Sequence, residues 1–462
     1  MARALKIIAH MVLLYLVLTV ISVADIQFET AVEYSAGNDP FYIVAADFDG
    51  DHDQDLAAAD YGSDNVLVYL NNGDGTFQAG MAYQIGLQPR GICGGDFDGD
   101  LDIDLAVTLW YTDEVVILSN TGHGAFQPAG VYSAGDGPES ISCGDLDGDG
   151  DIDLISAALH QDALLVLTNR GNGTFESPYS IPMGGDPVEV HVTDLDGDGD
   201  LDLAVANYSS NNVCININDG NGEFQPAVFY DVGEYPFSVH AIDLNGDSWK
   251  DLVSANMHDI SILFNNGDMT FHPAVNIAVA GRPTSVNAND FDLDGDNDLV
   301  FTQWDANTIL ILGNDGLGNL EVVGSYAVGM LPYAVTSIDF DRDTDPDLAI
   351  ASPGSGNISI LLNQYASFSN CCLEWGVPGD ANGDQQVNLL DILHLIEFVY
   401  QDPIGAPLGW QGCNALMDVN GDGPSWQTPT VNLLDVLQLI DHVYQEPAGE
   451  PILCCPPEGQ QP

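Results

Sequence analysis

The sequence predicts an all-β seven-bladed β-propeller followed by a small α-helical calcium-binding domain. Three observations predict this. An aspartate-rich loop recurs seven times at a nearly fixed spacing. Four short apolar runs, divided by Gly, Asn and Asp turns, fill each interval. Beyond the last copy the pattern changes to two units, each an acidic loop leading into apolar residues at helical spacing.

Composition sets the outer bounds. The chain has 462 residues, 70 of them acidic and seven basic, with a formal charge of −63. Such a surface repels nucleic acid and anionic lipid headgroups. An apolar content of 45 % argues for a packed core rather than disorder. Residues 1–24 have the form of a signal peptide: Arg3 and Lys6, an apolar run from Ile7 to Ile21, then Ser22-Val23-Ala24. That run is too short to favour a membrane span, and no transmembrane segment is expected in the mature chain. The basic residues left are Arg90, Arg170, Lys250, Arg282 and Arg342. Cys371, Cys372, Cys413, Cys454 and Cys455 cluster late in the sequence, as in a disulfide-stapled module of open connectivity.

The propeller follows from the repeat, which is expected over 25–368. Asp-x-Asp/Asn-x-Asp-x-x-x-Asp-Leu begins at Asp47, Asp96, Asp145, Asp194, Asp243, Asp290 and Asp339, in steps of 49 residues with one step of 47. A second motif follows each loop, as in NNGDGTF from Asn71 and NRGNGTF from Asn169; the seventh copy keeps only Asn363. A proline precedes each loop by seven residues, from Pro40 to Pro332. Within the first full period the expected strands are Tyr42–Phe48, Leu56–Tyr61, Val66–Leu70 and Phe77–Ile85. Radial closure of seven such units removes most exposed strand edges. Phe28–Tyr34 has the pattern of a fourth strand, and the last repeat stops near Leu362, so the N-terminal strand is expected to complete the last blade.

Each acidic loop has the makings of a metal site. Strict alternation of Asp would suggest a strand, but glycine at the fourth or sixth position permits a tight loop. Carboxylates at positions 1, 3, 5 and 9, with a backbone carbonyl at position 7, form an all-oxygen cage suited to Ca²⁺. The candidates are Asp47, Asp49, Asp51, Asp53 and Asp55; Asp96, Asp98, Asp100, Asp102 and Asp104; and Asp145, Asp147, Asp149, Asp151 and Asp153. The fourth and fifth loops offer Asp194, Asp196, Asp198, Asp200 and Asp202, then Asp243, Asn245, Asp247, Trp249 and Asp251. The last two offer Asp290, Asp292, Asp294, Asp296 and Asp298, then Asp339, Asp341, Asp343, Asp345 and Asp347. Up to seven Ca²⁺ are expected here. The fifth loop, with Trp249-Lys250 inside it, and the seventh, with Arg342 and Pro346, depart furthest from the pattern.

Acidic loop, Asn-Gly…Phe turn and period together resemble the FG-GAP/VCBS repeat family, also seen in the integrin α-subunit propeller. The resemblance covers about Gln27–Asn363. It implies a propeller with Ca²⁺ between the first two strands of a blade, and fixes no single function.

After a linker over 369–379, the loop Asp380, Asn382, Asp384, Gln386, Asn388 and Asp391 has 12-residue calcium-loop spacing, with Gln386 offering its carbonyl. It recurs as Asp418, Asn420 and Asp422 with Asn432 and Asp435, six residues longer. Each loop leads into one apolar-faced helix. The pair, over 380–446 and ahead of a Cys/Pro-rich tail at 447–462, resembles a dockerin domain. That resemblance implies up to two further Ca²⁺ and a cohesin-like partner on a scaffold or cell surface. Signal peptide and dockerin-like module together suggest a secreted or surface-attached bacterial protein.

The loops on the propeller face opposite the acidic loops carry a candidate ligand surface. The strand-two ends and the residues after the repeated prolines supply Phe41, Tyr61, Arg90, Trp110, Tyr208, Phe237, Trp304 and Tyr333. Sugars stack on such rings and peptides dock on them. The function expected is recognition of a carbohydrate or surface protein, without catalysis. A polysaccharide lyase on a calcium-rich propeller is the enzymatic alternative, and a purely structural surface protein is another. A lyase needs a base and cationic help at the uronate carboxylate, and five scattered basic residues supply little of either.

Overall fold

A computed structural model describes residues 26–364. The signal segment, the expected linker, the dockerin-like module and the tail lie outside the described residues. The described chain forms seven four-stranded antiparallel sheets. The first blade is Pro40–Ala46, Asp55–Asp60, Asn65–Tyr69 and Met81–Gln84. The seventh is Ala334–Ile338, Asp347–Ser352 and Asn357–Leu361, completed by Val32–Ser35 from the N-terminal end. There Val32 pairs with Ile360 and Ser35 with Asn357. The ring is thus clasped by its own first strand, as expected. Among the described residues there is no α-helix, only a 3₁₀ turn at Leu159–Gln161.

Two expectations shift in detail. In five blades the first strand begins at the repeated proline, as at Pro40 rather than Tyr42, which a proline tolerates at a strand start; in the fifth and seventh it begins at Ser238 and Ala334. Fourth strands are shorter: Phe77 makes only an isolated bridge to Asn71, and regular pairing resumes at Met81. In the second and sixth blades the fourth strand runs longer, over Phe126–Ser133 and Leu320–Ala327.

Strand periodicity explains the core. Seven apolar clusters lie one at each blade–blade interface. In the first blade Val66 and Val68 pack toward the second blade, while Leu67 and Tyr69 pack toward the seventh. Successive side chains of a strand point to opposite sheet faces, and both faces are covered by neighbours. The second and third strands are therefore apolar without a break, as in Leu56-Ala57-Ala58-Ala59. Outer strands such as Met81–Gln84 are mostly exposed. The first strands touch in sequence around the axis and close between the seventh and first blades. This places all acidic loops on one face and the proline loops on the other.

Candidate functional site

The third acidic loop shows how the sequence builds its geometry. Asp145 Oδ1 accepts the Gly148 N–H at 2.8 Å, and its Oδ2 accepts that of Gly150 at 3.0 Å. Asp149 Oδ1 accepts the Asp151 N–H at 2.9 Å. Gly148 and Gly150 both have positive φ, which is why glycine recurs at these two positions. Asp153 is buried: its Oδ2 accepts the Leu146 N–H at 3.0 Å and its Oδ1 the Asn169 N–H at 2.7 Å. The last aspartate makes this pair of bonds in every blade, from Asp55 to Asp347.

The same winding gathers carboxylates. Asp47, Asp49 and Asp55 bring oxygens within 4.8 Å of one another, as do Asp96, Asp98 and Asp104. Asp145, Asp147 and Asp153 do likewise, and so do Asp194, Asp196 and Asp202. In the sixth loop the group is Asp290, Asp292 and Asp294. Burial raises Asp55, Asp104, Asp153, Asp202 and Asp251 to about 6, Asp298 to about 7 and Asp347 to about 8, although the accepted backbone hydrogen bonds pull them down. Burial and then the charges of Asp298, Asp294 and Asp290 push Asp292 up to about 8. Asp98 Oδ1 is buried with no hydrogen-bond partner. Concentrated negative charge, all-oxygen donors and an orphaned buried carboxylate oxygen fit a hard divalent cation.

Positions 5 and 7 stand apart from the gathered carboxylates in most loops. The position-5 carboxylates Asp51, Asp100, Asp149 and Asp198 accept the N–H two residues on and stand outside the gathered groups of their loops. Position-7 side chains turn away, as the carbonyl assignment at that position requires. Asp151, Asp200 and Asp296 lie against Gly171, Gly220 and Gly316 of the following Asn-x-Gly turn, so closely that a Cβ there would clash. Trp249 covers Gly267 in the same way. Asp53 lies against Gly73 likewise and also pairs with Arg342, which reaches across the ring closure and donates to the Asp51 carbonyl at 3.0 Å.

The second motif proves to be an inter-blade latch, a role not read from the sequence. Asn120 Nδ2 donates to Ile103 O of its own loop at 3.1 Å and to Phe48 O of the preceding blade at 2.8 Å. Asn169, Asn218, Asn314 and Asn363 repeat the link, and Asn71 makes it to Phe340, across the closure. Asn265 Nδ2 donates to Lys250 O of its own loop and makes no bond to the preceding blade among the described residues.

On the opposite face a cavity of about 290 Å³ lies on the ring axis. All seven post-proline residues line it: Phe41, Arg90, Glu139, Val188, Phe237, Thr284 and Tyr333. Leu159, Tyr208, Trp304 and Arg282 complete the wall. Of the expected surface, Tyr61 and Trp110 do not reach it. Tyr61 packs edge-on against Phe41, and Trp110 against His160. Arg90 Nε donates to Glu139 Oε1 at 2.9 Å, and Tyr333 Oη donates to the same oxygen at 3.0 Å. The Arg90 guanidinium lies over the Phe41 ring, 4.0 Å from its centroid. Turn residues pin the surrounding loops. Asp64, Asp113, Asp162, Asn211 and Asn307 each accept the N–H of the residue just before the next proline. That N–H belongs to Gln88, Gly137, Asp186, Tyr235 or Leu331, directly ahead of the proline in each case. Among the described residues no helix is long and apolar enough to cross a membrane.

The FG-GAP-like repeat profile matches residues 47–107, 96–156, 145–205, 194–254 and 243–301. No curated protein matches the sequence. Among solved structures, the chain is similar to BBS1N in a complex with ARL6DN: TM-score 0.54, 15 % identity, 72 % of this chain and 96 % of that one. A protein from Lactobacillus plantarum aligns with TM-score 0.52 at 13 % identity, over 65 % of this chain and 88 % of that one. A virginiamycin B lyase from Staphylococcus aureus aligns at 0.49 and 16 %, over 72 % of this chain and 99 % of that one. These likenesses concern the fold.

Proposed function

The chain belongs to the FG-GAP-like repeat family, and on that footing we propose that it is a calcium-stapled recognition propeller whose axial cavity binds carbohydrate. The reading assigns the two faces different work. On one, the side chains at positions 1, 3 and 9 of each loop, all carboxylates except Asn245 in the fifth, hold Ca²⁺, with the position-5 side chain and position-7 carbonyl completing the set. The ion supplies positive charge that offsets the mutual repulsion of the carboxylates. The residues themselves wind the loop and fasten it to the second strand and to the Asn turn.

The observation that carries the binding assignment is the cavity wall. Trp304, Tyr333 and Phe41 form one aromatic side, and Tyr208 and Phe237 another, with Arg90 and Glu139 between them. Flat apolar faces suit the C–H faces of a sugar ring, while a fixed carboxylate and guanidinium suit its hydroxyls. Binding rather than turnover is proposed, since the carboxylate of the wall, Glu139, is engaged by Arg90 and Tyr333. Export through residues 1–24 and docking of residues 380–446 to a cohesin-like domain belong to the same proposal.

Titration calorimetry of the calcium-loaded chain against oligosaccharides tests it. Binding that Trp304→Ala weakens at least about tenfold, the effect of losing about 1.4 kcal/mol, is the expected result. Undiminished binding by Trp304→Ala and Tyr208→Ala would place the ligand elsewhere.

A further inference from the structure

Basic side chains are scarce in this molecule, and their distribution is uneven. The described residues hold five: Arg90, Arg170, Lys250, Arg282 and Arg342. Arg342 holds Asp53. Arg170 faces Glu176 at 3.6 Å and donates to Phe175 O at 2.9 Å. Lys250 donates to Thr193 Oγ1 at the foot of the first strands. The remaining two both line the axial cavity. Its wall therefore carries two guanidiniums against one carboxylate, Glu139, in a chain of formal charge −63.

The two arginines differ in how they are held. Arg90 is largely buried, and Glu139, Tyr333 and Phe41 fix it from three directions. These contacts set its orientation. Arg282 stands at the rim, its side chain 35 % exposed, and its one ion pair is with Asp305 at 3.4 Å, itself 56 % exposed. An exposed pair of this length contributes little, so its guanidinium can exchange one carboxylate for another at small cost. Guanidinium recognises carboxylate with two parallel N–H donors, which makes it a selective partner for that group.

Charge also excludes an alternative. A cationic ligand would be drawn by the overall field and by the aromatic walls. The cation site over Phe41 is already filled by Arg90, and Arg282 repels a second cation at the entrance. A cavity of about 290 Å³ is at the small end for ligand sites and suits a chain end rather than a long segment.

We propose that the axial cavity selects the terminal unit of an acidic, uronate-type saccharide, with Arg282 receiving the sugar carboxylate. Aromatic stacking holds the ring, and Glu139 with Arg90 holds its hydroxyls. This rests on the carbohydrate reading above, and the two fail separately.

The test is calorimetry of the calcium-loaded full chain with tri-galacturonate and tri-mannuronate, each beside its carboxyl-reduced neutral form. The expected result is at least about tenfold tighter binding of one uronate form over its neutral form. Arg282→Gln should abolish that preference and leave the melting temperature unchanged because the residue sits at the rim. Binding of the uronate should weaken as NaCl rises from 50 to 500 mM, and that of the neutral form should not. Equal binding of charged and neutral forms, or a preference that survives Arg282→Gln, overturns the inference and leaves the carbohydrate reading intact. No binding of any of the four overturns both. A rise in absorbance at 235 nm during incubation would support uronate recognition while identifying the ligand as a substrate.

Discussion

The two faces of the ring are built at the same register of the same repeat, yet one is nearly uniform and the other varies at every blade. On the acidic face the last aspartate accepts the same two N–H groups seven times. On the opposite face the post-proline position is Phe, Arg, Glu, Val, Phe, Thr and Tyr in turn. Uniformity marks what every blade needs to fold. Variation around a common axis marks what only the assembled ring possesses, a single cavity with one residue from each blade.

This comparison can be broken most severely at the uniform face. Asp153→Ala leaves the Leu146 and Asn169 N–H groups buried without acceptors, at a cost of about 3 kcal/mol. Urea unfolding in millimolar Ca²⁺ checks this. A change below about 1 kcal/mol would mean the loop is not fastened as described.

A smaller effect separates the latches from one another. Asn169→Ala loses bonds to two blades, Asn265→Ala to one. The first should cost about 1 kcal/mol more than the second in the same unfolding experiment. Equal costs would remove the inter-blade role of Asn169.

The acidic face also has a pH signature. Unfolded aspartates titrate near 3.9, whereas burial holds Asp153 at about 6 and Asp347 at about 8. A folded value above the unfolded one favours the protonated form of the fold. Chelated protein should therefore be most stable near pH 4 and lose stability as pH rises through 6 toward 8. With Ca²⁺ present the trend should reverse, because protons compete for the same oxygens. Melting curves at pH 5 and pH 8, with and without chelator, decide it; a chelated midpoint that rises with pH contradicts the account.

The smallest expected effect is at the ring closure. Arg342→Ala leaves Asp53 buried without its cation, at a cost of about 1 kcal/mol.

Much of this was legible in the sequence because repetition multiplies a weak signal. The seven loops, four strands per blade and the closing N-terminal strand all follow from period and alternation. The cavity was half legible: the post-proline residues recur at one register of the repeat and all seven line the axis. Tyr61 and Trp110 stand back from it, Tyr61 behind Phe41 and Trp110 against His160, while the equivalent Leu159, Tyr208 and Trp304 line the wall. The Asn latch could not be read, since its partner lies 72 residues away on another blade. Nor could the Arg342 clasp, whose partner lies across the closure, 289 residues away in sequence from Asp53.

The central claim is that calcium holds the uniform face while the variable face recognises a ligand. It is tested most directly by counting bound Ca²⁺ and melting the protein with and without excess chelator. The account predicts several ions per chain, up to seven in the propeller, and a midpoint lowered by at least about 10 °C on chelation. A chain with no bound calcium and an unchanged midpoint would contradict it.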